Sequence, residues 1–174
     1  MTRLAIDHAR EGKMIMPSDS MTAEGRLAKL GIRLPEAPMP FGAYATAVQT
    51  GNLLFLSGML ATSGHAATVA GVVGKSLDVK AAQEAAYIAA LNALALSKKR
   101  LSSLDRVSRV VRLGVYVAAT PEFTNHPKVA DAASELLRDV FGEEALSSRL
   151  VFGVASLPLG SPVELELILE VKAT

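Results

Sequence analysis

An α+β fold, one mixed β-sheet carrying two main helices on one face, is what this sequence predicts. Three observations predict it. Residues from Asp78 to Arg100 repeat alanine and leucine at helical spacing. Residues 106–118 and 163–172 are β-branched or cleanly alternating. The elements run in the order hairpin, short strand, helix, strand, helix, strand, strand. The chain has 174 residues, half of them hydrophobic and 20% charged. That is enough to bury a core and too apolar for a disordered chain.

Residues 1–20 carry scattered charges without periodicity and end in Pro17-Ser18-Asp19-Ser20; they read as a weakly ordered N-terminal extension ahead of one domain, 21–174. A short helix runs from Met21 to about Leu30 and is stopped by Gly31. Three prolines and a glycine in 35–43 impose an irregular, extended segment. Tyr44 to Thr50 alternates, Gly51-Asn52 is a turn, and Leu53 to Leu56 completes a β-hairpin ending in Ser57-Gly58. Ser63 to Gly71 is a small, polar loop, and Val72-Val73-Gly74 reads as a short strand. Asp78 then caps the long helix. Its stripe of Ala82, Ala85, Ala86, Ala89, Ala90 and Ala93 lets a sheet approach closely, and Lys98, Lys99 and Arg100 suit its C-terminal dipole. Residues 106–118 form a long central strand, broken at Thr120-Pro121. Pro127 opens a second helix that ends at Phe141 before Gly142. Leu150 to Ala155 is a strand and residues 157–162 a tight connection. In the last strand Val163, Leu165, Leu167, Leu169 and Val171 face one way; Glu164, Glu166, Ile168, Glu170 and Lys172 face the other.

Composition removes several kinds of chemistry. Without cysteine there is no disulfide, thiolate zinc site, iron–sulfur cluster or Cys nucleophile. Nucleotide-binding glycine loops and the HExxH and GxSxG motifs are missing. A net charge of +1 gives no general pull toward nucleic acid or anionic membrane. No apolar run is long enough to span a bilayer and no signal-peptide core follows Met1, so a cytoplasmic protein is expected.

What remains is a handful of polar residues at strand ends. Arg149, just before the apolar Leu150–Val154 run, can place a planar fork at the rim of a pocket and hold a carboxylate by two parallel hydrogen bonds; an arginine reaching water from a strand end fits the spacing as well. Glu164 and Glu166 share one face, where either can serve as a general base or simply meet solvent. Tyr44 is a ligand-binding phenol or a half-buried strand tyrosine. Gly58 offers bare backbone to a ligand or is a turn glycine. His65 and His126 read as surface residues with no second metal ligand nearby.

Taken in order, Phe41-Gly42-Ala43-Tyr44, Gly51-Asn52-Leu53-Leu54-Phe55-Leu56-Ser57-Gly58, Ala89 to Leu94, Leu104-Asp105-Arg106-Val107, Ser148-Arg149-Leu150-Val151, Leu157-Pro158 and Val163-Glu164-Leu165-Glu166 resemble the RidA/YjgF family, also called endoribonuclease L-PSP. The resemblance covers about residues 40–172. The helix at 21–31 and the LGIRLPEAPMP stretch resemble a longer-headed, uncharacterised subgroup. The resemblance implies a chorismate-mutase-like fold of the bacillus type, with a six-stranded sheet. It also implies a homotrimer whose sheets form a central barrel, with ligand clefts between subunits.

It implies cofactor-free hydrolysis of reactive 2-imino and enamine acids to 2-keto acids and ammonia, with no metal. In that scheme Arg149 holds the substrate carboxylate, Glu164 assists a water, and Tyr44 and Gly58 line the site. Two positions depart from the family. Val151 replaces a frequent cysteine, so only its backbone can serve. Asp131 stands where a polar asparagine aligns, and its carboxylate is expected to repel an anionic substrate. A trimeric binding or sensor protein for small carboxylates is the alternative. An endoribonuclease ranks third, because there is no basic stripe and few aromatics to stack bases.

Overall fold

The Asp78 carboxylate accepts from the Ala81 amide at 2.8 Å and starts the longest helix of the chain, seen here in a computed structural model that describes residues 21–172. The expected extension at 1–20 lies outside the described residues. This helix, α2, spans Val79–Leu101 and follows α1 (Ala23–Leu30); α3 is His126–Phe141. The strands are β1 (Ala47–Thr50), β2 (Leu53–Leu56), β3 (Met59–Leu60), β4 (Thr62–Ser63), β5 (Ala66–Ala67), β6 (Val107–Ala118), β7 (Ser148–Val154) and β8 (Val163–Val171).

The main sheet has six strands in the order β1-β2-β8-β6-β7, with β3 also paired to β8. It is mixed: β6 and β7 run parallel and every other pair is antiparallel. The parallel pair is bridged by α3, as a parallel connection requires. α2 and α3 pack on the face where Leu113, Val115 and Val117 meet Val163, Leu165 and Leu167. The alanine stripe of α2 is at most 1% exposed at these six positions, so the helix lies close on the sheet. Asn92 is the polar exception in that contact. Its amide donates to the Leu60 and Thr62 carbonyls at 2.9 and 3.0 Å and satisfies the chain where β3 gives way to β4.

Two expectations fail between residues 44 and 74. The first strand begins at Ala47, so Tyr44 sits in a bend ahead of it. Val72–Gly74 is no strand. The Val72 carbonyl takes the amides of Lys75, Ser76 and Leu77, and Gly74 adopts φ +85°, so the chain turns there. Val73 makes only isolated bridges. The expected loop at 63–71 holds the small β4–β5 hairpin.

α1 is fixed at both ends. Thr22 Oγ1 accepts from Gly25, and Gly31 at φ +66° closes the helix by donating to the Ala28 carbonyl. The Glu24 carboxylate accepts from the Leu104 amide at 3.0 Å and from Lys98 Nζ at 2.7 Å, while the Glu24 amide donates to Asp105 Oδ1. Leu27 is buried beneath.

Candidate functional site

Residues paired across strands share a face. Arg149 is opposite Leu113, which is opposite Leu167, so Arg149 leaves β7 on the helix side. It lies within the strand rather than ahead of it, because β7 begins at Ser148. Its Nη1 donates to Asp131 Oδ1 at 2.8 Å and to Ser134 Oγ at 3.0 Å. Asp131 and Ser134 are neighbours on one face of α3, three residues apart. Nε and Nη2 make no hydrogen bond among the described residues, which leaves one edge of the fork open for a carboxylate. The Asp131 carboxylate is turned into the guanidinium and orients it. Val151 stands two residues along the same face, half-buried against the core.

Glu164 lies on the opposite face. It is paired with Tyr116 and Leu60, and Tyr116 with Phe152. Burial pushes its carboxyl above the usual carboxylate range, and no hydrogen bond to it exists among the described residues. Gly58 explains how it fits. Between Phe55 and Met59 the β2–β3 edge advances four residues while β8 advances three, from Ile168 to Leu165, so one residue bulges. A Cβ on Gly58 would fall 2.8 Å from Glu164 Cδ, and the carboxylate occupies that space. The Ser57 amide donates to Thr46 and its hydroxyl to the Ala45 carbonyl, at 2.9 and 2.7 Å. These bonds hold Tyr44 at the same end of the sheet as Gly58 and Glu164. The Tyr44 hydroxyl accepts from the Phe41 amide at 3.2 Å.

Sequence reasoning missed a second cluster on that open face. Tyr116 donates to Glu166 Oε2 at 3.2 Å, and Arg112 Nη2 faces the same oxygen at 3.6 Å. Gly114 makes room, since a Cβ there would be 2.9 Å from that oxygen. Burial, with the charge of Glu166 beside it, raises the Tyr116 hydroxyl above its ordinary pKa. Around these groups Val48, Phe55, Leu150 and Phe152 are 37–54% exposed.

The predicted residues therefore form two groups on opposite sides of one sheet. Arg149, Asp131 and Val151 gather with Ser134 between β7 and α3, and Tyr44, Gly58 and Glu164 gather at the β2–β3 bulge. Within one chain they do not meet. His65 is exposed as expected, its ring edge-on to Phe41. His126 is not a simple surface residue: it is half-buried, set edge-on to Phe123 at 5.0 Å and seated over Gly153. A glycine inside an apolar strand was the available signal. Among the described residues no cluster of His, Asp and Glu could hold a metal ion, and no helix is long and apolar enough to cross a membrane.

Residues 24–171 match the model of a family described as "YjgF/chorismate_mutase-like, putative endoribonuclease". Protein TCP17 of Trypanosoma cruzi is 40% identical over 156 residues, covering 87% of this chain and 98% of its own. The 2-iminobutanoate/2-iminopropanoate deaminase of Dermatophagoides farinae is 28% identical over 141 residues, covering 81% and 95%. Among solved structures, Atu1372 of Agrobacterium tumefaciens, a protein described as of unknown function, superposes with a TM-score of 0.79 at 39% identity, over 86% of this chain and 92% of its own.

Proposed function

The chain belongs to the YjgF/chorismate mutase-like family, and on that premise we propose that it hydrolyses reactive 2-imino acids to 2-keto acids and ammonia at sites shared between three copies. The observation that carries this reading is the division of the site. An open guanidinium edge waits on one face, and an unpartnered, half-buried carboxyl waits on the other. Each is held in place, and neither is sufficient alone. The exposed apolar residues on the open face support a second copy covering it, since patches of that kind mark contact surfaces.

In the proposed reaction Nε and Nη2 of Arg149 bind the substrate carboxylate and fix the C=N carbon. Glu164 of a neighbouring copy takes a proton from water. The water oxygen bonds to that carbon while the C=N π electrons move to nitrogen. Glu164 returns that proton to the nitrogen, giving a carbinolamine; it then moves the carbinol hydroxyl proton to the amine, so that the C=O bond forms as the C–N bond breaks and ammonia leaves. A carboxyl raised by burial suits a group that both accepts and donates a proton. The resemblance supplies the substrate class, and the 2-imino acid deaminase among the relatives supports it.

The test is the decay of 2-iminobutanoate generated in situ by an amino-acid oxidase, followed with wild type and with Arg149→Ala. Acceleration by wild type alone is expected. Tight 2-oxobutanoate binding without acceleration would replace the enzyme with a carboxylate-binding protein.

A further inference from the structure

Beyond Arg149 the same seam between β7 and α3 holds a second polar group that the proposed reaction leaves unused. Arg149, Val151 and Gly153 alternate along the helix-facing side of β7, and Asp131 and His126 lie above them on α3. A Cβ on Gly153 would come 2.5 Å from His126 Nε2, so the glycine makes the notch in which the imidazole sits. Phe123 holds the ring from the side. Neither ring nitrogen makes a hydrogen bond among the described residues, so a half-buried imidazole is placed without a partner of its own. It lies five positions before Asp131 on α3, a rise of about 7.5 Å along the helix axis. Val151 forms an apolar floor between.

From this arrangement we infer that His126 reads the far end of the ligand, and that the preferred substrates are 2-imino acids carrying a second carboxylate. The inference rests on the reading of Arg149 as the carboxylate clamp. With the 2-imino carboxylate on the guanidinium, a four- or five-carbon diacid with a hydrogen bond at each end spans the distance to the imidazole. A short alkyl chain leaves the imidazole without an acceptor. Sites built to hydrogen-bond a substrate group discriminate against analogues that lack it.

The experiment compares 2-oxoglutarate with 2-oxobutanoate by calorimetry, and the corresponding imines by turnover, on the full chain. Wild type is expected to favour the diacid at least about tenfold, expressed in Kd and KM. His126→Ala should bring that ratio near one, and so should Gly153→Ala, whose methyl takes the imidazole's place. His126→Gln keeps a nitrogen donor and should recover part of the preference. If His126→Ala lowers the melting temperature sharply, the Gln and Gly153 variants decide. A wild-type ratio near one overturns the inference. So does a ratio unchanged by His126 substitution while Arg149→Ala loses both ligands, and then the clamp stands. Conversely, His126-dependent diacid binding without imine turnover keeps the inference and removes the hydrolase.

Discussion

The two sides of β8 differ more than any two separate elements of this molecule. Val163, Leu165, Leu167, Leu169 and Val171 are at most 2% exposed and face α2 and α3. One residue away in each case, Glu164, Glu166, Ile168 and Glu170 are only half-covered, and three of the four are carboxyl side chains. The aliphatic side is finished within a single chain. Among the described residues the charged side has a carboxyl without a partner, large apolar neighbours in the open and a buried Arg112 Nε with no acceptor. A sheet can therefore be complete as a core and incomplete as a site, with a period of two residues separating the conditions.

The sharpest way to break that comparison is to separate the two half-sites. Arg149→Ala and Glu164→Gln are each expected to lower imine turnover by about 10²- to 10³-fold, the usual cost of removing a group that stabilises developing charge. Mixing the two variants after unfolding and refolding together should recover up to about a quarter of wild-type activity, because random assembly of a symmetric ring reunites an intact arginine with an intact glutamate. No recovery would place both groups' roles within one chain.

Gly58→Ala is expected to follow, with turnover down on the order of 100-fold, since the new methyl displaces the Glu164 carboxyl by about an ångström or more. Wild-type turnover in this variant would detach Glu164 from the chemistry. Third, Leu167→Ala should destabilise the fold by about 2–5 kcal/mol in chemical denaturation, and its neighbour Ile168→Ala by only about 1 kcal/mol. Sedimentation should instead show Ile168→Ala weakening assembly; equal stability losses at both positions would erase the contrast between the faces.

The smallest effect is in pH. Burial raises the Glu164 carboxyl in the folded chain, so the folded chain holds that proton more tightly than the unfolded one. The resulting stability is present below the ordinary carboxylate range and is lost as pH rises through the raised value. Melting curves from about pH 4 to about pH 8 should show Glu164→Gln gaining on wild type as pH rises; parallel curves would contradict it.

Much of this was legible in the residues. The alanine stripe, the Asp78 cap, the Gly51-Asn52 turn and the alternation of 163–171 each state a local geometry, and each reappears. β3 was illegible because two residues carry no period; only pairing with Leu165 and Glu164 makes them a strand. Val72-Val73 misled because β-branched residues favour strands, while three amides converging on one carbonyl decide for a turn. Arg149 and Glu164 stood out through family resemblance rather than spacing, and their placement on opposite faces follows only from the register of three strands. Asp131 read as a repellent charge because sequence gives no partner; Ser134 and the arginine fork supply it.

The anchoring of α1 has a consequence for how the chain assembles and opens. Its turns and caps are local, yet its polar anchors reach Lys98, Leu104 and Asp105 across 74 to 81 residues of sequence. Contacts that distant form only after the intervening chain is ordered. Helix α1 therefore docks only once α2 and residues 104–105 are in place. Its amides are expected to exchange with solvent before those of α2, reporting a partial opening that leaves the sheet intact.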